Sequence, residues 1–258
     1  MPVPPPSLTA EQLVDLLALL KKVDSVELKL TVPADAGRRI MDNLGLDPLD
    51  AQIRQVVFFD TPDLTLDQAG VVARARRLQV GIDDSTVKLR PVDPDNLPPE
   101  LRKNPTFGVE VDAIPGGFVC SGSMKNEGPL DVRAVLHGEK TIKKLFSKEQ
   151  REFYAAHAPE GLDLNDLSIL GPINVFKLKW KPEDFPRKVV AELWNYPDGS
   201  RILELSTKCL PTDAFQAAAE GRAFLSSKGV ETGGAQSTKT RTALEFFANE
   251  LKSQVRSA

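Results

Sequence analysis

The sequence predicts an α+β protein whose strands pair antiparallel and whose helices are segregated from them. Three observations lead there. Eight stretches carry strand signals, at 26–32, 52–59, 71–78, 86–89, 107–113, 175–180, 188–195 and 201–206, with Gly, Pro or Asp at most junctions. They lack the regular alternation with helices that a parallel α/β sheet requires. Helical patterns gather at the two ends of the chain and in one stretch at about 121–160. Closure into a barrel removes exposed strand edges, although periodicity alone does not demonstrate it.

In chain order, residues 1–7 form a Pro-rich leader, and the capping-box spacing of Ser7-Leu8-Thr9-Ala10-Glu11 opens an amphipathic helix over about 8–22. Leader and helix make a segment 1–23, followed by one domain over 24–258. Val26, Leu28, Leu30 and Val32 alternate with Glu27, Lys29 and Thr31, giving a strand with one apolar and one charged face. Residues 34–44 read as a helix closed by Gly45, and Asp60-Thr61-Pro62-Asp63 as a turn. The proline-rich stretch 91–106 is an excursion between neighbouring strands, and helices over about 212–228 and 239–253 end the chain. Gly116-Gly117 and Gly233-Gly234 read as turns, because neither sits between a strand and a helix as a phosphate loop does.

The chain has 258 residues, 41% hydrophobic and 27% charged, enough to bury a core without covalent staples. A formal net charge of -3 excludes a broadly basic nucleic-acid surface, so any polyanion site must come from locally gathered cations. Cys120 and Cys209 are isolated thiols, a pattern unlike a zinc site or a secreted disulfide framework. No apolar stretch reaches the length of a membrane helix. A cytoplasmic protein is the expectation.

Charge recurs on strand faces. Arg74 and Arg76 leave one face of their strand, and Lys88 and Arg90 follow on the next. Glu110 and Asp112 repeat the spacing with carboxylates, Lys177 and Lys179 with ammoniums, and Glu204 and Ser206 with a weaker polar pair. A solvated outer face shows the same alternation, and spacing does not separate it from a charged barrel interior. His137 and His157, in the helical stretch, read as surface or capping residues, and Trp180 and Trp194 as core or barrel wall. Lys239 and Arg241 put positive charge in the first turn of the last helix, which the helix dipole disfavours unless a partner is present.

The ordered motifs resemble those of the CYTH superfamily, the triphosphate tunnel metalloenzymes. Ser25-Val26-Glu27-Leu28-Lys29 stands where that family has its opening ExExK strand, with Ser25 in place of the first glutamate. Phe58-Phe59-Asp60-Thr61-Pro62-Asp63, followed by Leu64 to Gly70, is the most recognisable segment. Ala73-Arg74-Ala75-Arg76, Val87-Lys88 and Glu110-Val111-Asp112 are similar to the Arg-x-Arg, Thr-x-Lys and Glu-x-Glu strands. Lys177-Leu178-Lys179, Glu192 and the stretch 199–206 resemble the last basic and acidic strands.

The resemblance, over about 24–208, implies a closed eight-stranded antiparallel β-barrel with surrounding helices. Its charged tunnel would hold triphosphate, thiamine triphosphate or a nucleoside triphosphate with Mg²⁺ or Mn²⁺, and no membrane or specific nucleic acid. Phosphate binding then falls to Lys29, Arg74, Arg76, Lys88, Lys177 and Lys179, metal binding to Glu27, Glu110, Asp112, Glu192 and Glu204, and catalysis to Glu27, Lys29, Glu110 and Asp112. The expected activity is metal-dependent triphosphate hydrolysis. A class IV-type adenylyl cyclase is one alternative. The other is a polyphosphate- or nucleotide-binding protein with little turnover, because Ser25 and Ser206 thin the carboxylates on the first and last acidic strands.

Overall fold

A computed structural model describes residues 8–32, 37–230 and 239–257. The leader at 1–7 and Gly233-Gly234 lie outside the described residues. Nine strands form the barrel wall: β1 (Ser25–Val32), β2 (Gln52–Asp60), β3 (Val71–Leu78), β4 (Asp84–Leu89), β5 (Phe107–Ile114), β6 (Gly117–Glu127), β7 (Ser168–Trp180), β8 (Val189–Asn195) and β9 (Arg201–Cys209). They close in the order β1-β5-β6-β4-β3-β2-β7-β8-β9.

This corrects the expectation of eight antiparallel strands in two respects. The additional strand is β6, whose first half pairs with β5 through a turn at Pro115-Gly116 and whose second half pairs with β4. Gly116 adopts φ 83, the left-handed conformation such a tight turn needs. Ser121-Gly122-Ser123 lacks the branched and aromatic side chains that mark a strand, so residues 121–127 read as the start of a helical stretch. Gly122 suits its place because a Cβ there would meet the Phe107 ring at 2.9 Å. The second difference follows from the first, since strand directions cannot alternate all the way round an odd-numbered ring. The parallel pair is β1 with β5, aligning Ser25 with Glu110 and Glu27 with Asp112.

Helices cover the outer wall. Thr9 caps α1 (Ala10–Leu20), with Gln12 completing the capping box. Leu16 and Leu20 of α1 join a core built on Val57, Phe59, Ala73, Ala75, Val87, Val109 and Val111. The short α2 (Gly37–Asn43), α3 (Thr65–Gln68), α4 (Pro99–Lys103) and α5 (Val132–Leu136) follow the connections between strands. The helical stretch after β6 also contains α6 (Lys148–Ala155), whose Gln150 is fully buried. Gln150 donates to the carbonyls of Ser85 at 3.1 Å and Met124 at 3.0 Å and accepts from the Ser85 hydroxyl at 2.8 Å. This stretch therefore pins β4 to β6 from outside, with the buried amide satisfied. Further round, α2 and α7 (Ala214–Ser227) cover β1, β8 and β9 through Ile40, Leu44 and Phe224.

The last helix, α8 (Lys239–Ser257), does something different. Its Ala243, Leu244 and Phe247 pack with Val56, Phe58, Val175 and Trp194, and with partly buried Val72 and Ile202. These positions share strand faces with Arg54, Arg74, Lys177, Glu192 and Glu204, by the period of two along each strand. The interior is thus apolar towards α8, which stoppers that end, and charged beyond it. Trp194 is buried and stacks on Phe58 with centroids 6.4 Å apart, a wall residue as its strand position predicts.

Candidate functional site

The Phe58–Asp63 segment anchors the wall and stays out of the charged interior. Buried Asp60 accepts three backbone N–H bonds, from Thr61 at 2.7 Å, Leu66 at 2.8 Å and Asp67 at 3.0 Å. The carboxylate thereby satisfies the N-terminal turn of α3. Gly70 follows at φ 73, where a Cβ would stand 3.0 Å from the Arg90 carbonyl, and its own carbonyl accepts the Arg90 N–H at 2.8 Å. The most recognisable motif is architectural: it sets the start of β3 and hence the placement of Arg74 and Arg76.

Inside the barrel the charges sort into three groups. The first joins β1, β4 and β5. Lys29 Nζ lies 2.7 Å from Asp112 and 3.1 Å from Glu27, and Lys88 Nζ lies 3.3 Å from both Glu110 and Asp112. Arg90 approaches Asp112 at 3.6 Å, and Lys208 reaches Glu110 at 3.2 Å from the rim. Ligand atoms of Glu27, Glu110 and Asp112 all lie within 4.8 Å of one another, close enough to share one metal ion. Burial alone would raise the Glu110 and Asp112 carboxyls, but the surrounding ammoniums outweigh it, bringing Glu110 to about 2 and Asp112 lower still. Burial likewise opposes charge on Lys29, and the carboxylates of Glu27, Asp112 and Glu204 overcome it and raise its ammonium. Glu110 and Asp112 are thus ionised at neutral pH, as hard-cation ligands must be. Ser25 aligns with Glu110 and is itself buried, adding a hydroxyl to this side of the interior.

The second group is arginine-rich. Arg74 and Arg76 project from β3, and Arg54, unmarked by any sequence motif, from β2. Asp84 holds Arg76 through two contacts of 2.8 Å. Arg54 is 8% exposed and bonds to Gln52, but no carboxylate lies within ion-pair distance of Arg54 or Arg74 among the described residues. Burial first, and the Arg76 charge second, lower the Arg74 guanidinium to about 10. Arg74 also feels Asp84, Glu192 and Glu110, placing the guanidinium between carboxylates on separate parts of the wall. Thr86, on the same strand face as Asp84 and Lys88, is buried with a hydroxyl that has no hydrogen-bond partner. A buried and a half-buried guanidinium without a carboxylate in ion-pair contact, and an idle hydroxyl, define a place where phosphate oxygens would find donors.

The third group lies on β7, β8 and β9. Glu192 and Glu204 face each other across a strand pair. Lys177 Nζ holds Glu192 at 2.8 Å. Lys239, the first residue of α8, enters from the stoppered end, contacts Glu192, stands 2.7 Å from Glu204 and lies 5.0 Å from the Trp194 ring centroid. The carboxylates supply the partner that a basic first turn requires.

Of the residues expected to act together, the structure brings Glu27, Lys29, Lys88, Glu110 and Asp112 into one cluster, with Arg74 and Arg76 on the neighbouring wall. Glu192 and Glu204 form a separate acidic pair already engaged by lysines. Lys179 shares a strand face with Lys177 but is exposed and makes no ion pair among the described residues. The sequence reading missed Arg54, Asp84 and Lys208. The period-two spacing of Gln52, Arg54, Val56 and Phe58 carried the signal for Arg54, and Lys208 continues the Glu204–Ser206 face. His137 caps the C-terminus of α5 through its backbone N–H, and the His157 ring bonds to the Phe153 carbonyl.

The chain shares its fold with solved proteins of low sequence similarity. A candidate adenylate cyclase from Bacillus halodurans superposes with a TM-score of 0.57 at 14% identity, over 85% of this chain and 97% of that one. A candidate adenylyl cyclase from Hippeastrum with a dominant triphosphatase activity superposes with a TM-score of 0.54 at 17% identity, over 81% of this chain and 91% of that one. The CYTH resemblance read from the motifs therefore holds at the level of the fold. No protein-family model matches the sequence, and no curated protein is significantly similar to it. No helix among the described residues is long and apolar enough to cross a membrane.

Proposed function

We propose that the charged interior binds an inorganic or organic triphosphate and hydrolyses it with a divalent cation, Mg²⁺ or Mn²⁺. The observation that carries this reading is Arg54, buried, and Arg74, half-buried, neither within ion-pair distance of a carboxylate among the described residues, in the same interior as a tight carboxylate cluster. A buried charge without a partner is costly, and a polyanion relieves that cost while receiving forked N–H donors.

In this reading Arg54 and Arg74 grip phosphate oxygens directly, Asp84 holds Arg76 in orientation beside them, and Thr86 donates its idle hydroxyl. Lys88 and Lys177 balance charge along the chain of phosphates. Glu27, Glu110 and Asp112 would hold the cation, which neutralises phosphate charge when bound. Water forms the new bond to the terminal phosphorus, the bridging P–O bond breaks, and a carboxylate of the Glu27 cluster accepts the proton from water. Lys29, bonded to Asp112 and Glu27, holds those carboxylates in place for that role.

A second reading, binding without turnover, is favoured by the engagement of Glu192 and Glu204 by Lys239, which leaves Glu27, Glu110 and Asp112 as the acidic group without a helix lysine. One experiment separates the readings. Phosphate release from inorganic triphosphate, ATP and thiamine triphosphate is measured with Mg²⁺, Mn²⁺ or EDTA, and cyclic AMP is followed in the ATP reactions. Metal-dependent release lost in Arg74→Ala is the expected result. Binding by calorimetry without release would replace hydrolysis with storage or sensing, and cyclic AMP as the main product would replace it with cyclisation.

A further inference from the structure

A second basic site lies on the outside of the barrel, back to back with the interior arginines. Side chains alternate across a strand, so Arg77 leaves β3 on the face opposite Arg76, and Gln55 leaves β2 opposite Arg54. Together with Arg133 of α5 and His137 at its C-cap, they line a cavity of about 510 Å³. Its other walls are Ile169, Gly171 and Pro172 of β7 and Phe247, Glu250 and Leu251 of α8. This volume falls within the range of small-molecule sites, roughly 300–1,000 Å³, and like them the cavity combines apolar surface with a few polar groups.

The two guanidiniums of this cavity lack carboxylate partners among the described residues, while His137 lies 3.8 Å from Glu139. Arg77 donates one bond, to Gln55 at 3.2 Å, which leaves most of its guanidinium donors open. Among the described residues no carboxylate lies within ion-pair distance of Arg77 or Arg133. Nearby Asp131 is taken by Lys140 at 2.8 Å. Glu250 is exposed, makes no ion pair with either arginine, and is the one carboxylate of the lining. Over an apolar floor of Ile169, Phe247 and Leu251, two guanidiniums and an imidazole fit a ligand that is anionic at one end and apolar or aromatic at the other.

We propose that this cavity binds a nucleoside mono- or diphosphate, its phosphate on Arg77 and Arg133 and its base against the apolar floor. The site does not depend on what the barrel interior binds. It touches the interior through α8, which lines the cavity with Phe247 and Leu251 and sends Lys239 to Glu192 and Glu204.

The test uses ADP in EDTA, with binding measured by calorimetry on the wild-type chain, on Arg74→Ala/Arg76→Ala and on Arg77→Ala/Arg133→Ala. The interior variant is expected to retain one ADP per chain. The exterior variant should lose that site, with affinity weakened by about tenfold or more, as expected for removal of charge-assisted bonds to phosphate. Glu250→Gln should tighten ADP binding in the interior variant, because it removes the one carboxylate facing the anion. Arg77 and Arg133 are not buried, so unchanged thermal melting of the exterior variant separates lost binding from lost folding. No ADP bound to the interior variant, or full binding by a folded exterior variant, would overturn the proposal. Failure of the interior to bind triphosphate would leave it standing.

Discussion

The two acidic groups of the barrel interior are made from the same residue types on the same kind of strand face, yet they stand in different circumstances. Glu27, Glu110 and Asp112 are balanced mainly by strand and rim cations: Lys29, Lys88, Arg90 and Lys208. Glu192 and Glu204 are balanced by Lys177 and by a lysine that arrives on a helix. The first group converges within 4.8 Å, close enough to share one metal ion. The second already has its cation built in. A carboxylate's availability is therefore set by the element that carries its counter-charge, a tertiary property that strand periodicity does not encode.

The comparison can be broken most forcefully at Lys239. Burial opposes its charge, and Glu192 and Glu204 overcome that and raise its ammonium. Lys239→Met leaves buried Glu204 facing half-buried Glu192 with Lys177 alone, and should destabilise the protein by about 3 kcal/mol. Chemical denaturation without metal checks this. The same variant should gain stabilisation from Mn²⁺ beyond that of the wild type, because a second acidic pair has been released. A variant as stable as the wild type would remove the distinction between the groups.

Asp112→Asn acts on the other group. It withdraws the carboxylate shared by Lys29, Lys88 and Arg90, and should weaken Mn²⁺ binding by roughly 10- to 100-fold while leaving triphosphate binding in EDTA less affected. Calorimetry with and without triphosphate reads both. Equal losses in the two titrations would mean that Asp112 serves folding alone.

A smaller effect is expected from pH. Glu110 and Asp112 have folded-state carboxyls below their unfolded values, so their contribution is present above the unfolded pKa of about 4 and fades as pH falls towards the folded values, about 2 for Glu110. Melting temperature in EDTA should drop between about pH 4.5 and 2, and Glu110→Gln should flatten part of that drop. The smallest effect belongs to Lys179→Ala. Lys179 is exposed and has no ion pair among the described residues, and its loss should change triphosphate affinity by about twofold or less.

Much of this architecture was legible in the chain. The alternation in Val26–Val32 and the Arg74/Arg76, Glu110/Asp112 and Lys177 spacings put charges on one face of their strands, and the structure turns those faces inward. β6 was not legible, because serine and glycine carry little strand preference and its register is imposed by Phe107 and Gln150 from other parts of the chain. The parallel β1–β5 pair followed from that missing strand. Within the site, Lys239 stood in a helix pattern, and only the packing of α8 against Trp194 and Phe58 shows where its ammonium goes. Arg54 was hidden for a related reason: it carries a single charge in an apolar-rich run, and its neighbours in space come from β3.

The central claim is that the barrel interior holds a triphosphate on arginines lacking carboxylate partners. It is tested most directly by titrating inorganic triphosphate into the wild-type chain and into Arg74→Ala in EDTA. One triphosphate per chain is expected, weakened by about 10- to 100-fold in the variant, with the variant's melting temperature in the absence of ligand unchanged or higher because a half-buried charge without a carboxylate partner has gone. Equal affinity in the two proteins, or no binding to either, would contradict it.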